Sequence, residues 1–118
     1  MPRRPRFSLT DYPLHLVQRG NDRQPCFFGE PDFRTYLDAL SDASSHYGVR
    51  NHAYVLMTNH VHLLLTPRKA EAIPKLIISL GRRYVQYINR TYGRAGRLLV
   101  MDKDPEAIAV AERLAADD

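Results

Sequence analysis

His52-Ala53-Tyr54-Val55-Leu56-Met57-Thr58-Asn59-His60-Val61-His62-Leu63-Leu64-Leu65-Thr66-Pro67 is the stretch on which the fold turns. Residues 52–57 and 60–66 are two apolar runs that meet at Thr58-Asn59, which predicts a tight hairpin even though the strong Asn-Gly turn signal is absent. Strand side chains alternate between faces, so His60 and His62 share one face while Val61 and Leu63 share the other. Two imidazoles one side chain apart can hold a divalent ion between them, and an ion held there would polarise a phosphate. On residue types alone, a structural role for such a pair is the commoner one.

Upstream, residues 14–19 read as a strand broken by Gly20-Asn21-Asp22, with Leu14 and Leu16 on one face and His15 and Val17 on the other. Pro31 opens a helix with Phe33, Leu37 and Leu40 at i, i+4 and i+7, and Gly48 closes it. Downstream, Ile73, Leu76, Ile77, Leu80, Tyr84, Tyr87 and Ile88 form the apolar stripe of a second helix over about 71–92, with Gly93 as its stop. The order is β-α-β-β-α, a split βαβ arrangement in the α+β class. Residues 98–101 have the makings of a short strand, and Asp104-Pro105 of a helix start running to about 116.

With 118 residues the chain is sized for one small domain. It has no long apolar run and no signal-peptide pattern, so a soluble cytoplasmic protein without membrane attachment is expected. The single cysteine, Cys26, excludes an internal disulfide and reads as a small, partly buried apolar residue. Charge is uneven: residues 1–100 carry 15 Lys/Arg against 7 Asp/Glu, while residues 101–118 carry two against six. A basic body suggests a polyanionic partner, nucleic acid first, or else a solvated basic surface. The arm Met1-Pro2-Arg3-Arg4-Pro5-Arg6 reads either as a phosphate contact or as a solubilising terminus.

Three strings carry a resemblance. They are His15-Leu16-Val17-Gln18-Arg19-Gly20-Asn21-Asp22-Arg23-Gln24, Tyr54-Val55-Leu56-Met57-Thr58-Asn59-His60-Val61-His62 and Ser79-Leu80-Gly81-Arg82-Arg83-Tyr84-Val85-Gln86-Tyr87-Ile88-Asn89-Arg90-Thr91-Tyr92-Gly93-Arg94. In order and spacing over about residues 7–96 the chain resembles the single-tyrosine HUH transposases, IS200-like and REP-associated. The resemblance implies a ferredoxin-like antiparallel sheet with helices on one face, acting on single-stranded or hairpin DNA, as a monomer or a homodimer. It implies Mg²⁺ or Mn²⁺ bound by His60 and His62, and a tyrosine that attacks the phosphate to leave a 5′-phosphotyrosine and a free 3′-hydroxyl. It points to Arg19, Gly20, Asn21 and Arg23 as a DNA-facing loop, with the same loop also readable as a polar turn with solvated arginines. Arg82, Arg83 and Arg90 are candidate phosphate contacts, and Tyr92 suits base stacking or plain exposure.

The family's catalytic tyrosine lies on a later helix, followed one turn on by an Asn or Gln that completes the metal shell. No tyrosine follows Tyr92 here, so the nucleophile and third ligand of that pattern are expected to be missing, and the catalytic residue is left unassigned. Tyr84 and Tyr87 read as core residues with hydroxyls bonded at its edge, and Tyr54 as core. A domain over 1–97 followed by a divergent acidic tail over 98–118 is expected, the tail covering the histidine face, with Glu106 or Glu112 within the means of a ligand. The change in composition after Arg97 looks like a truncation or frameshift. A non-catalytic DNA-binding module and a non-functional remnant are the alternatives to an active transposase-type domain, with a tyrosine-free metal hydrolase ranked last.

Overall fold

The computed structural model describes residues 10–96 and 98–101. Strand β1 runs Leu14–Gly20 and passes through a single 3₁₀ turn, Asn21–Arg23, before helix α1 at Glu30–Tyr47. Strands β2 (Val49–Met57) and β3 (His60–Pro67) form the hairpin. Helix α2 is Ala72–Tyr92, and a three-residue strand β4 (Leu99–Met101) follows. The strands join in the order β2-β3-β1-β4 with every pair antiparallel, the ferredoxin-like arrangement.

The helix boundaries follow from the punctuation. Pro31 sits in the first turn of α1, where its missing N–H costs nothing. Gly48 and Gly93 adopt the left-handed conformation (φ 69° and 63°) that ends each helix. The alternation of the strands sorts the faces. Leu16 pairs with Leu63 and Gln18 with Val61, and these face the helices. Tyr36, Ala39 and Leu40 of α1, with Ile73, Leu76, Leu80, Tyr84 and Ile88 of α2, complete that core. Leu98 is fully buried in it, which carries β4 onto the sheet edge beside β1.

Tyr54 departs from its expected core position. Its register partner Leu63 is buried, yet Tyr54 itself is 53 % exposed, because β2 is the outermost strand of the described sheet. That strand also begins earlier than expected and carries a register irregularity between Asn51 and Ala53. The expected basic arm and the expected helix over 104–116, with Glu106 and Glu112, lie outside the described residues. No helix among the described residues is long and apolar enough to cross a membrane.

Candidate nucleic-acid interface

On the sheet face away from the helices, His60 is paired across the strands with Arg19 of β1 and Met57 of β2. His62 is paired with Val17 and Val55. The two imidazoles therefore share a face, as the alternation predicts, with ring centroids 6.3 Å apart. His15 lies opposite Leu64, hence diagonal to His62, and the diagonal neighbours meet: His15 Nε2 is 3.1 Å from His62 Nδ1. For that contact to be a hydrogen bond, one nitrogen carries a proton and the other does not. His60 Nδ1 lies 3.0 Å from Asn59 Oδ1. Both histidines of the pair thus meet a neighbouring side chain through Nδ1, which leaves Nε2 of each as the nitrogen for a ligand.

The fit to a metal is partial. With metal–nitrogen bonds of about 2.1 Å, two imidazoles sharing an ion at roughly a right angle bring their centroids to about 4.5–5 Å, so His60 and His62 would have to close by about an ångström. Among the described residues no group of three or more His, Cys, Asp or Glu side chains is placed to hold a metal ion. Among the described residues, His60 and His62 thus offer two donors to such an ion.

The loop after β1 is fastened to the hairpin turn. Gly20 N–H donates to Asn59 O (3.0 Å), and Cys26 N–H donates to Thr58 O (2.7 Å). Asn21 N–H donates to Leu98 O (2.8 Å), and Gln24 N–H back to Asn21 O. Gly20 is required by contact: a Cβ there would stand 1.7 Å from the Gln24 carbonyl oxygen. Arg19, Gly20 and Asn21 are in this way brought beside His60, and Arg23 follows on the same turn.

The remaining expected contacts are not part of that surface. Arg82 and Arg83 lie on the outer side of α2, lining a shallow groove with Tyr47, Lys75, Ile78 and Ser79. Arg83 is engaged by Asp42 of α1. Arg90 is exposed near the end of α2. Tyr92, also at that end, is 42 % exposed, and its hydroxyl donates to Asp32 (2.8 Å to Oδ2). That bond pushes its ionisation up to about 12.

Asp32 was not legible as anything but a first-turn acid, and it is fully buried. It accepts from Phe28 N–H (2.8 Å), Tyr87 Oη (2.8 Å) and Tyr92. A carboxylate at the third position of a helix reaching back to the preceding backbone is the signal that identifies it in retrospect. His15, Phe28 and Arg94 were also missed, because their partners lie up to 70 residues away in sequence. The expected hydroxyl bonds of Tyr84 and Tyr87 are present: Tyr84 donates to Cys26 O (2.6 Å), and burial raises its ionisation far beyond the ordinary range.

Two solved structures share this fold. One is a REP-associated tyrosine transposase bound to a REP hairpin (TM-score 0.59, 11 % identity, covering 90 % of this chain and 65 % of that one). The other is a Deinococcus radiodurans R1 protein assigned to the transposases (TM-score 0.60, 18 % identity, 98 % and 96 %). Shorter likenesses run to ribosomal RNA small subunit methyltransferase H. The Chromobacterium violaceum enzyme is 73 % identical over 26 residues (22 % of this chain), and the Stenotrophomonas maltophilia K279a enzyme is 41 % identical over 75 residues (48 % of this chain). The chain spans only 8 % and 23 % of those enzymes. Over residues 8–102 the sequence matches the family described as Transposase IS200 like, and with the whole described fold inside that match, this chain belongs to the IS200-like transposase family.

Proposed function

We propose that this chain binds single-stranded or hairpin DNA through the surface formed by Arg19–Arg23 and the histidine strand, and that its own tyrosines do not attack the phosphate. The observation that carries this reading is the fastening of Gly20 and Cys26 to the hairpin turn, with Arg19 the register partner of His60. His60 and His62 would hold Mg²⁺ or Mn²⁺, whose chemistry there is polarisation of a DNA phosphate. Arg19 supplies positive charge to the same phosphate, and Gly20 lets the backbone approach it closely. Arg82, Arg83 and Arg90 contribute phosphate attraction from the outer helix. The cytoplasm, where DNA is available, is the corresponding location.

The tyrosines support the non-cutting part. Tyr36, Tyr84, Tyr87 and Tyr92 belong to the helix layer, on the far side of the sheet from His60 and His62. Tyr47 ends α1, and Tyr54 pairs with Leu63 on the helix side. Tyr12 precedes β1, five residues before the partner of His62, roughly 16 Å along an extended chain. A labelled hairpin mixed with protein and Mn²⁺ tests both parts. The expected result is a native-gel shift without a covalent band on a denaturing gel. A protease-sensitive covalent band would show that a tyrosine within these residues has taken over, and no shift would remove the DNA reading. The same native gel separates a monomer from a homodimer.

A second reading concerns the end of the chain. The acidic switch in composition after Arg97 is what a junction between two reading frames leaves. Translating the other frames beyond codon 96 tests it: a continuation with Tyr-x-x-x-Asn supports a frameshifted remnant, and its absence from every frame counts against one.

A further inference from the structure

We infer that Phe28, Tyr92 and Arg94 form a receptor for one unpaired nucleobase at the C-terminal end of α2. The inference rests on the DNA-binding reading above and adds a site on the other side of the sheet from the histidines.

Phe28 and Tyr92 are two large aromatic residues left 46 % and 42 % exposed at one place. Their ring centroids are 4.9 Å apart and their planes are inclined by 49°. The inclined rings form a shallow wedge; at this separation no third ring fits between them, but each keeps exposed area on which another flat group can stack. Both are held in place by one buried acceptor. Asp32 takes the Phe28 backbone N–H at 2.8 Å and the Tyr92 hydroxyl at 2.8 and 3.0 Å. The wedge is thus pre-formed, and occupancy costs little ordering of its walls.

Arg94 supplies the charge. Its guanidinium carbon stands 5.8 Å from the centre of the Phe28 ring, and its Nη2 donates to Gln24 Oε1 at 2.7 Å. Its Nη1 is buried with no hydrogen-bond partner among the described residues. An aromatic pair with an arginine at its side is suited to a base, which brings a π face, acceptor atoms and a phosphate. A paired base cannot enter, since its faces are already stacked in the duplex. Gln24 closes the 3₁₀ turn that begins at Asn21, so the wedge is continuous with the loop proposed to face DNA. A strand leaving a hairpin stem at that loop would pass its first unpaired base to Phe28 and Tyr92.

The experiment is fluorescence anisotropy of the full chain with three labelled DNAs: a blunt hairpin, the same hairpin with a five-nucleotide single-stranded extension, and that extension made abasic. The intact extension is expected to tighten binding about tenfold over the blunt hairpin, the size of one stacked base. The abasic extension, Phe28→Ala and Arg94→Gln should each remove that gain and leave the blunt hairpin unchanged, while Phe28→Tyr should keep it. Thermal melts of the same variants report on folding. Equal losses on blunt and extended DNA would overturn the receptor. So would no loss in well-folded variants, which would leave the wedge to a protein side chain. If the wild type binds the blunt hairpin with no gain from the extension, the receptor falls and the DNA reading stands. If it binds none of the three, both fall.

Discussion

The two sides of the sheet carry polar clusters assembled on opposite rules. Toward the helices, unlike groups meet: the Asp32 carboxylate accepts from Tyr87, Tyr92 and the Phe28 backbone, and Tyr36 donates to Gln18 at 2.8 Å. On the far side, like groups meet: His15 stacks on His62 at 5.2 Å between centroids, and His60 lies over His62 in turn. Donors matched to acceptors make an arrangement that stabilises the fold by itself. Imidazoles set against imidazoles have an arrangement that depends on which nitrogens hold protons, which suits the metal-binding role proposed for them above. The two polar clusters therefore carry different kinds of information, and the complementarity of their groups is what separates them.

Variants on either side can break this contrast. Asp32→Ala leaves two hydroxyls and one backbone N–H without their acceptor and should cost about 3 kcal/mol by denaturant melt, whereas a cost under about 1 kcal/mol would mean that water replaces the carboxylate. Gly20→Ala drives a methyl into the Gln24 carbonyl at the junction of the two sides. It should cost about 2 kcal/mol and weaken hairpin binding at the same time. His62→Ala should behave in the opposite way to Asp32→Ala. Mn²⁺ affinity by calorimetry should fall at least tenfold, about 1.4 kcal/mol, with little change in the melt. A large loss of stability there would place the histidines in the structural class.

Smaller effects sharpen the picture. The Tyr92 phenol is raised from 10 to about 12 by its bond to Asp32, which favours the protonated form in the folded chain. The contribution of that bond is then fully present below pH 10 and declines as pH rises toward 12. Ultraviolet titration of tyrosinate should show one phenol moving back toward 10 in Asp32→Ala. Smallest of all is the exposed pair Arg34–Glu30 on α1, where Arg34→Ala should change stability by less than about 0.5 kcal/mol.

The order of elements was legible because it is local. Pro31, Gly48 and Gly93 mark helix ends by backbone constraint alone, and the period-two pattern around His60 fixes which side chains share a face. What depends on distant partners was hidden. Asp32 reads as a surface acid until Tyr87 and Tyr92 arrive from α2. Tyr54 reads as core until the strand order leaves β2 outermost. The proposed wedge needs Phe28 from before α1 together with Tyr92 and Arg94 from the end of α2, with no spacing that announces it. The shared face of His60 and His62 was foreseen from the strand alone, but not the part played by His15, which only the β1–β3 register creates.

Cys26, the single cysteine, gives the chain a built-in clock. Its thiol is fully buried, its backbone is tied to the hairpin turn, and burial pushes its ionisation up to about 11. Near neutral pH only roughly one molecule in ten thousand would carry the reactive thiolate, even before access is counted. A thiol reagent therefore registers only the moments when the loop lifts from the turn, and its labelling rate counts those moments. Any ligand that clamps the loop will slow the clock, so engagement of this surface is measurable on the unmodified chain without a label or an assay of strand cutting.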